Sequence, residues 1–375
     1  MTLRVRLLVN SDAAGRSGDD ATMPFDVAAA MQTHAFHSDL PGYVPTPLTH
    51  LSELAAELGV GGLVVKDEAH RFGLEAFKAL GASWAISRVV ERSGERPLTF
   101  ITATDGNHGR AVAWAAARLG HASVVYLPSE ASDARLEAIV RLGAQAIRVE
   151  GTYDDAVERA RVDAAANGWE LLQDMAWPGY ERVPSWVMQG YLTLIHEAIE
   201  QLGEELPTHV FVQCGVGSFA ASVTAYLVER FGAERPAVFV VEPEGAGCGM
   251  AAMERNEASP PRLDNTPHTF MVGLSCGQLS SSAWTILHRH VDGWVTCADE
   301  VARRGMRRLA SPIVGDAPVV SGESGAVTTG LVETVCADPA HASIRERLGL
   351  DAAAKVLLIS TEGATDKEIY RRVVT

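Results

Sequence analysis

The chain has 375 residues, 47% hydrophobic and 21% charged, with 32 Lys and Arg against 47 Asp and Glu, a formal net charge of −15. That length suffices for two or three packed units with a sizeable core, and the acidic balance excludes a general affinity for nucleic acid, which needs a basic excess to neutralise phosphates. Only four of the basic residues are lysines (Lys66, Lys78, Lys355 and Lys367), so chemistry that requires an amine has few candidates.

In chain order, residues 1–18 carry a short apolar run but neither a signal-peptide core nor a cleavage site, and no run of about 18 apolar residues follows. A cytoplasmic protein without a membrane span is expected. The first forty residues show little periodicity and read as an arm on a larger unit. From about residue 97, β-branched runs alternate with helical stretches, giving strands at 97–103, 122–128, 144–150, 169–174, 208–215, 237–243 and 353–360. This alternation predicts an α/β protein with parallel sheets covered on both faces, in two such units. Residues 244–282 are richer in Gly, Pro and Ser and read as a loop over a cleft. The five cysteines, Cys214, Cys248, Cys276, Cys297 and Cys336, lack C-x-x-C spacing and read as free thiols. No metal site is expected, because no His, Cys and Asp cluster has ligand spacing.

Several stretches carry candidate chemistry. Lys78, in GLEAFKALGASWAI, lies on an apolar helix. It either snorkels from the surface or sits in an apolar cleft, where a desolvated amine has a depressed pKa and attacks carbonyls. The polar turn in TATDGNHGRAVAW (102–114) follows a strand, at the carboxyl end where α/β sheets bind ligands. Asp105 is a candidate proton carrier and Asn107 a candidate contact to a phenolic or carboxylate oxygen, although both also suit a plain turn. His108 reads as a packing or turn residue with no partner nearby.

In VFVQCGVGSFAASV, Gly215, Val216, Gly217 and Ser218 open a helix whose backbone N–H groups form a phosphate cradle. Gly215, Gly217 and Ala220 also satisfy G-x-G-x-x-A, with Glu242 ending the next strand where a ribose-binding acid sits. A nicotinamide-dependent oxidoreductase is therefore the alternative of another class. Asp174 ends a strand before an aromatic loop with Trp177, Tyr180 and Trp186, which is an anchored loop or a lid carrying a carboxylate. Ser360 and Thr361 end the last strand and either cap the final helix or meet a ring nitrogen. Lys66 begins a charged turn, while Lys355 and Lys367 flank a strand and open a terminal helix, so all three have surface readings.

In this order, YVPTPL, KDEAHRFGLEAFKALGAS, TATDGNHGRAVAW, QDMAWPGYERVPSWVMQGYLTL, QCGVGSFAASV, VVEPEGAGC, GLSCG, SGESGAV and LLISTEGATDKEIYRRVV resemble the fold-type II pyridoxal-phosphate enzymes of the tryptophan-synthase-β and threonine-dehydratase group. Within that group they are most similar to the diaminopropionate ammonia-lyase family. The resemblance runs through almost the whole chain and implies two doubly wound parallel-sheet domains with pyridoxal 5'-phosphate in the cleft between them. Residues 1–85 and 195–375 would form the large domain and 86–194 the small one.

The resemblance implies that Lys78 carries the cofactor covalently, that Asn107 meets its ring oxygen, and that Gly215, Val216, Gly217 and Ser218 hold its phosphate. Ser360, or less readily Thr361, faces the pyridine nitrogen. Lys78 and Asp105 take the Cα proton from opposite isomers, and Asp105 or Asp174 protonates the leaving amine. The implied reaction is elimination of ammonia from a small amino-acid substrate, by a homodimer; a serine or threonine dehydratase or a β-replacing synthase is the alternative within the group.

Overall fold

The computed structural model describes residues 2–11, 13, 17–94, 96–104, 106–151, 153–257, 259–263 and 266–375. Its strands are β1 (Val5–Val9), β2 (Leu48–His50), β3 (Gly62–Asp67), β4 (Thr99–Ala103), β5 (Ala122–Pro128), β6 (Gln145–Val149), β7 (Glu170–Leu171), β8 (His209–Gln213), β9 (Ala237–Pro243), β10 (Gly293–Cys297) and β11 (Lys355–Ser360). Its helices are α1 (Val27–Ser38), α2 (Ser52–Leu58), α3 (Lys78–Ser93), α4 (Asn107–Arg118), α5 (Asp133–Val140), α6 (Tyr153–Asn167), α7 (Arg182–Leu202), α8 (Ser218–Phe231), α9 (Cys248–Glu254), α10 (Ser281–His290), α11 (Asp299–Ala310), α12 (Val327–Ala337), α13 (Ala342–Leu348) and α14 (Lys367–Val374).

A seven-stranded sheet has the order β1-β10-β9-β8-β11-β3-β2, and a four-stranded sheet the order β6-β5-β4-β7. Strands β10, β9, β8, β11 and β3 run parallel, with β1 and β2 antiparallel at the two edges. The smaller sheet is wholly parallel. The expected α/β architecture is therefore present, and each of the seven expected strands appears, β5 and β9 with the expected bounds and the other five trimmed at one or both ends. The arm contributes β1, whose Val5 pairs with Cys297 on β10. Residues 244–282 hold α9 and two short 3-10 turns as well as loop. None of the five cysteines, all described, forms a disulfide. No helix among the described residues is long and apolar enough to cross a membrane.

The surface reading of Lys66 is overturned. Lys66 lies in β3 and is fully buried. Its Nζ donates to the Thr46 carbonyl at 2.8 Å, to Glu197 Oε2 at 2.7 Å and to Gln201 Oε1 at 2.8 Å. Arg71, also buried, donates to Glu68 and Glu197. Charges are tolerated inside a protein only when paired and hydrogen-bonded in this way. The cluster ties β3 and the chain leading to Lys78 onto α7.

The largest apolar core is shared by the two sheets, running from Tyr191 and Leu194 on α7 through Leu80 and Ile86 on α3 to Phe100 on β4 and Val112 on α4. Helices α3 and α7 meet at two glycines. A Cβ on Gly190 would lie 2.4 Å from the Leu80 carbonyl oxygen, and one on Gly81 would lie 2.5 Å from the Tyr191 ring. That contact fixes the start of α3, where Lys78 sits.

Candidate active site

The carboxyl ends of the parallel strands in both sheets open onto one cavity of about 620 Å³, the place where open α/β sheets bind ligands. Lys78 reaches it because the chain just before α3 is held against the end of β11: Ala76 bridges Glu362, and the Phe77 N–H donates to the Thr361 carbonyl at 3.2 Å. Lys78 Nζ then donates to Asp174 Oδ2 at 2.5 Å. Asp174 follows β7, so this pair joins the two sheets across the cavity.

Burial works against the charge on Lys78, but the adjacent Asp174 carboxylate outweighs it and holds the amine above the usual lysine range. The desolvated, depressed amine considered from the sequence is thus corrected: Lys78 here is a paired ammonium. Burial likewise opposes the charge of Asp174, yet the Lys78 ammonium beside it holds its carboxyl below the usual range. His108 has one partner that its packing reading denied it, although its Nδ1 makes no hydrogen bond among the described residues. Its Nε2 lies 2.9 Å from the Leu172 carbonyl, and its Nδ1 lies 3.8 Å from Asp174 Oδ2. Burial lowers its pKa, so the ring is neutral with Nε2–H donating.

Gly215, Val216, Gly217 and Ser218 line the same cavity. Gly217 has φ +90° and precedes α8, whose N-terminus carries no side-chain cap, so the first-turn N–H groups remain available to an anion. A Cβ on Gly215 would lie 3.0 Å from the Gly273 carbonyl and 3.2 Å from Cys276 Sγ. Ser218 Oγ donates to the Asp174 carbonyl, locking the loop to the residue that pairs with Lys78. Asn107, the first residue of α4, donates from Nδ2 to Glu362 Oε2 at 2.5 Å.

Of the two terminal hydroxyls, Thr361 lines the cavity and Ser360 does not. Ser360 is buried behind the wall, donating to Ser321 Oγ at 2.8 Å, which removes the reason for preferring it. Thr361 Oγ1 accepts from Gln213 Nε2 at 3.0 Å. Asp105 lies outside the described residues. Glu242 does not serve a ribose, because its two carboxylate oxygens accept the N–H groups of Gly249 and Met250, each at 2.8 Å, at the start of α9. Burial pushes it up to about 7.

Reading the sequence missed Tyr191, Gln213, Glu323, Ser324 and Glu362, all in the cavity wall. Burial, and then the Glu362 carboxylate, push Glu323 up to about 8. Tyr191 Oη, Gln213 Oε1 and Ser324 Oγ are buried with no hydrogen-bond partner among the described residues. With His108 Nδ1 and Arg110 Nε, five such atoms around one cavity mark a site shaped for a polar ligand. An amine, an N–H cradle beside glycines, an amide and a hydroxyl fit pyridoxal phosphate in its aldehyde, phosphate, ring oxygen and ring nitrogen.

Comparison with known proteins agrees. Residues 40–343 match the family described as "Pyridoxal-phosphate dependent enzyme". The chain is 43% identical over 364 residues to diaminopropionate ammonia-lyase of Salmonella typhimurium, covering 91% of this chain and 90% of that one. The crystal structure of selenomethionine-incorporated holo diaminopropionate ammonia lyase from Escherichia coli superposes with a TM-score of 0.94 at 38% identity, covering 100% of this chain and 97% of that one. The structure of the Escherichia coli enzyme in complex with an aminoacrylate-PLP azomethine reaction intermediate gives a TM-score of 0.93 at 40% identity, with the same coverage. The chain belongs to the pyridoxal-phosphate dependent enzyme family, within its diaminopropionate ammonia-lyase branch.

Proposed function

We propose that this chain catalyses α,β-elimination of 2,3-diaminopropionate, in both D and L forms, giving pyruvate and two molecules of ammonia with uptake of one water. The observation that carries this reading is the Lys78–Asp174 pair, an amine and a carboxylate 2.5 Å apart inside a cavity that also holds an anion cradle. Lys78 would hold pyridoxal phosphate covalently, Gly215, Val216, Gly217 and Ser218 its phosphate, Asn107 its ring oxygen, and Thr361 its ring nitrogen. Bound there, the cofactor supplies an electrophilic carbon for amines and a sink for the electrons left at Cα. Thr361 receives a hydrogen bond from Gln213, so its own proton is free to donate to an unprotonated nitrogen.

Lys78 and Asp105 are the proposed bases for the Cα proton, acting from opposite sides on the L and D isomers. A neutral amine leaves only when it takes up a proton. Asp174 is the candidate donor, because loss of the Lys78 charge beside it leaves a buried carboxylate whose pKa rises. The 2-aminoacrylate released hydrolyses to pyruvate and the second ammonia. The proposal includes residues 86–194 as a smaller domain, supported by the placement of β4 to β7 within 99–171, and a cytoplasmic homodimer, supported by the family resemblance.

Borohydride reduction of the holoenzyme followed by peptide mass mapping tests the site. The expected result is a fixed cofactor adduct on Lys78 and, for Lys78→Ala, no adduct and no pyruvate. A Lys78→Ala protein that cleaves substrate at the parent rate removes the proposal.

A further inference from the structure

Glu362 belongs to no part of the machinery assigned so far, yet both its backbone and its side chain are held in place. Its backbone bridges Ala76, two residues before Lys78, and its carbonyl accepts the Gly322 N–H at 2.9 Å. Two glycines of the SGESG run make room for it. A Cβ on Gly325 would lie 2.7 Å from the Glu362 carbonyl oxygen, and one on Gly322 would lie 3.2 Å from its Cγ. The carboxylate is buried and both of its oxygens are used: Oε1 accepts the Ser324 N–H at 3.0 Å, and Oε2 accepts Asn107 Nδ2 at 2.5 Å.

The chemistry of that second bond is directional. A carboxylate only accepts, so the partner amide must present nitrogen to it, and the amide oxygen of Asn107 is turned away. The amide nitrogen has a second N–H, and with the first one occupied it is free to reach the cavity that Asn107 lines. Glu362 thereby selects a donor, rather than an acceptor, at the position Asn107 offers to an anionic ring oxygen. A charged acceptor also polarises the amide and strengthens what its other N–H donates. The charged neighbours are Arg110, which faces both Glu75 and Glu362, and Glu323, which shares the wall.

We infer that Glu362 is a positioning residue for the cofactor, acting through Asn107, whose amide it orients with nitrogen towards the cofactor's ring oxygen. This rests on the proposed reading of Asn107. Replacement by glutamine keeps the shape, but the Ser324 N–H claims the amide oxygen and leaves the NH2 group facing Asn107, so a donor at Asn107 is no longer imposed.

A double-mutant cycle on the reconstituted enzyme tests it, using Glu362→Gln, Asn107→Ala and the combination, with two readouts besides turnover: the dissociation constant of pyridoxal phosphate and the absorbance maximum of the bound cofactor. The expected result is about a tenfold weaker cofactor constant and a displaced band in each single variant. The double variant should match Asn107→Ala alone, since a residue acting through another adds nothing once that other is gone. Glu362→Asp, one methylene too short to reach Asn107, should reproduce Glu362→Gln and serves if the latter does not fold. If Asn107→Ala leaves both readouts at their parent values, the reading of Asn107 fails and the inference with it. If Asn107→Ala moves them but Glu362→Gln does not, or adds its full effect in the double variant, the inference alone is overturned.

Discussion

Lys78 Nζ and Asp174 Oδ2 are 2.5 Å apart, one at the head of a helix and the other beyond a strand of the opposite sheet. Each holds the other's charge against burial. Removing the carboxylate with Asp174→Asn leaves Lys78 buried without its counterion, so its pKa falls and the free amine appears at lower pH. Reconstitution of the apoenzyme with pyridoxal phosphate, followed by absorbance across pH, should therefore show attachment at lower pH in the variant than in the parent. Turnover should fall by about 10²–10⁴-fold, as for loss of a general acid. An unchanged pH profile would show that the pair does not control the amine.

The α3–α7 crossing makes Lys78 sensitive to a residue remote from the chemistry. A methyl group at Gly190 would press on the Leu80 carbonyl, two residues beyond Lys78, at 2.4 Å. The contact is backbone, so no rotamer change relieves it. Gly190→Ala is expected to cost about 1–3 kcal/mol of stability or more, as overpacking does, and to weaken cofactor binding. Thermal melting of parent and variant, with and without cofactor, measures both effects.

Gly217 tests the anion cradle. Its φ of +90° is a left-handed conformation, and an added Cβ would meet the Ala283 side chain at 3.1 Å. For Gly217→Ala the strain is about 1–3 kcal/mol, located where the first N–H groups of α8 face the cavity. The expected outcome is a folded protein with a weakened hold on both pyridoxal phosphate and inorganic phosphate. Equilibrium dialysis with each ligand gives the answer.

His37 sets an acid limit to stability. It is fully buried, with Nδ1 2.7 Å from Thr193 Oγ1 and Nε2 3.0 Å from the Leu80 carbonyl, an arrangement suited to the neutral ring. Burial, and then the Arg71 charge, lower its pKa to about 3. Above the unfolded value of about 6.5 the ring is neutral in both states and contributes no pH dependence. Between about 6.5 and 3 only the unfolded chain binds the proton, so stability falls with decreasing pH by up to about 1.4 kcal/mol per unit. Denaturant melts across pH 4–7 should show a shallower acid slope for His37→Gln than for the parent.

The strands of the smaller sheet and β8, β9 and β11 of the larger one were legible because fully buried parallel strands are written as short apolar runs between helices. Lys78, Asn107 and the loop 215–218 were legible because each sits at a strand end or helix start in a recognisable string. Strand β3 was not, since its apolar run ends in Lys66 and Asp67, and a lysine at a strand end looks solvated until Glu197, more than a hundred residues later, is brought beside it. Glu362 and Tyr191 were missed for the same reason. A lone glutamate after a strand and a tyrosine within an apolar helix carry no local signal, and only the approach of the end of β11 to Ala76, Phe77 and Asn107, and the packing of α7 on α3, place them at the cavity. The choice between Ser360 and Thr361 depends on which way adjacent residues point at the end of β11, a matter of pleat that the sequence alone leaves open.

Pyruvate release by the holoenzyme from D- and L-2,3-diaminopropionate, compared with D- and L-serine under the same conditions, tests the proposed reaction most simply. The expected result is pyruvate from both diaminopropionate isomers, with two ammonia molecules per pyruvate and kcat/KM well above that for either serine isomer. A strong preference for serine would contradict it and point to a dehydratase working on the same scaffold.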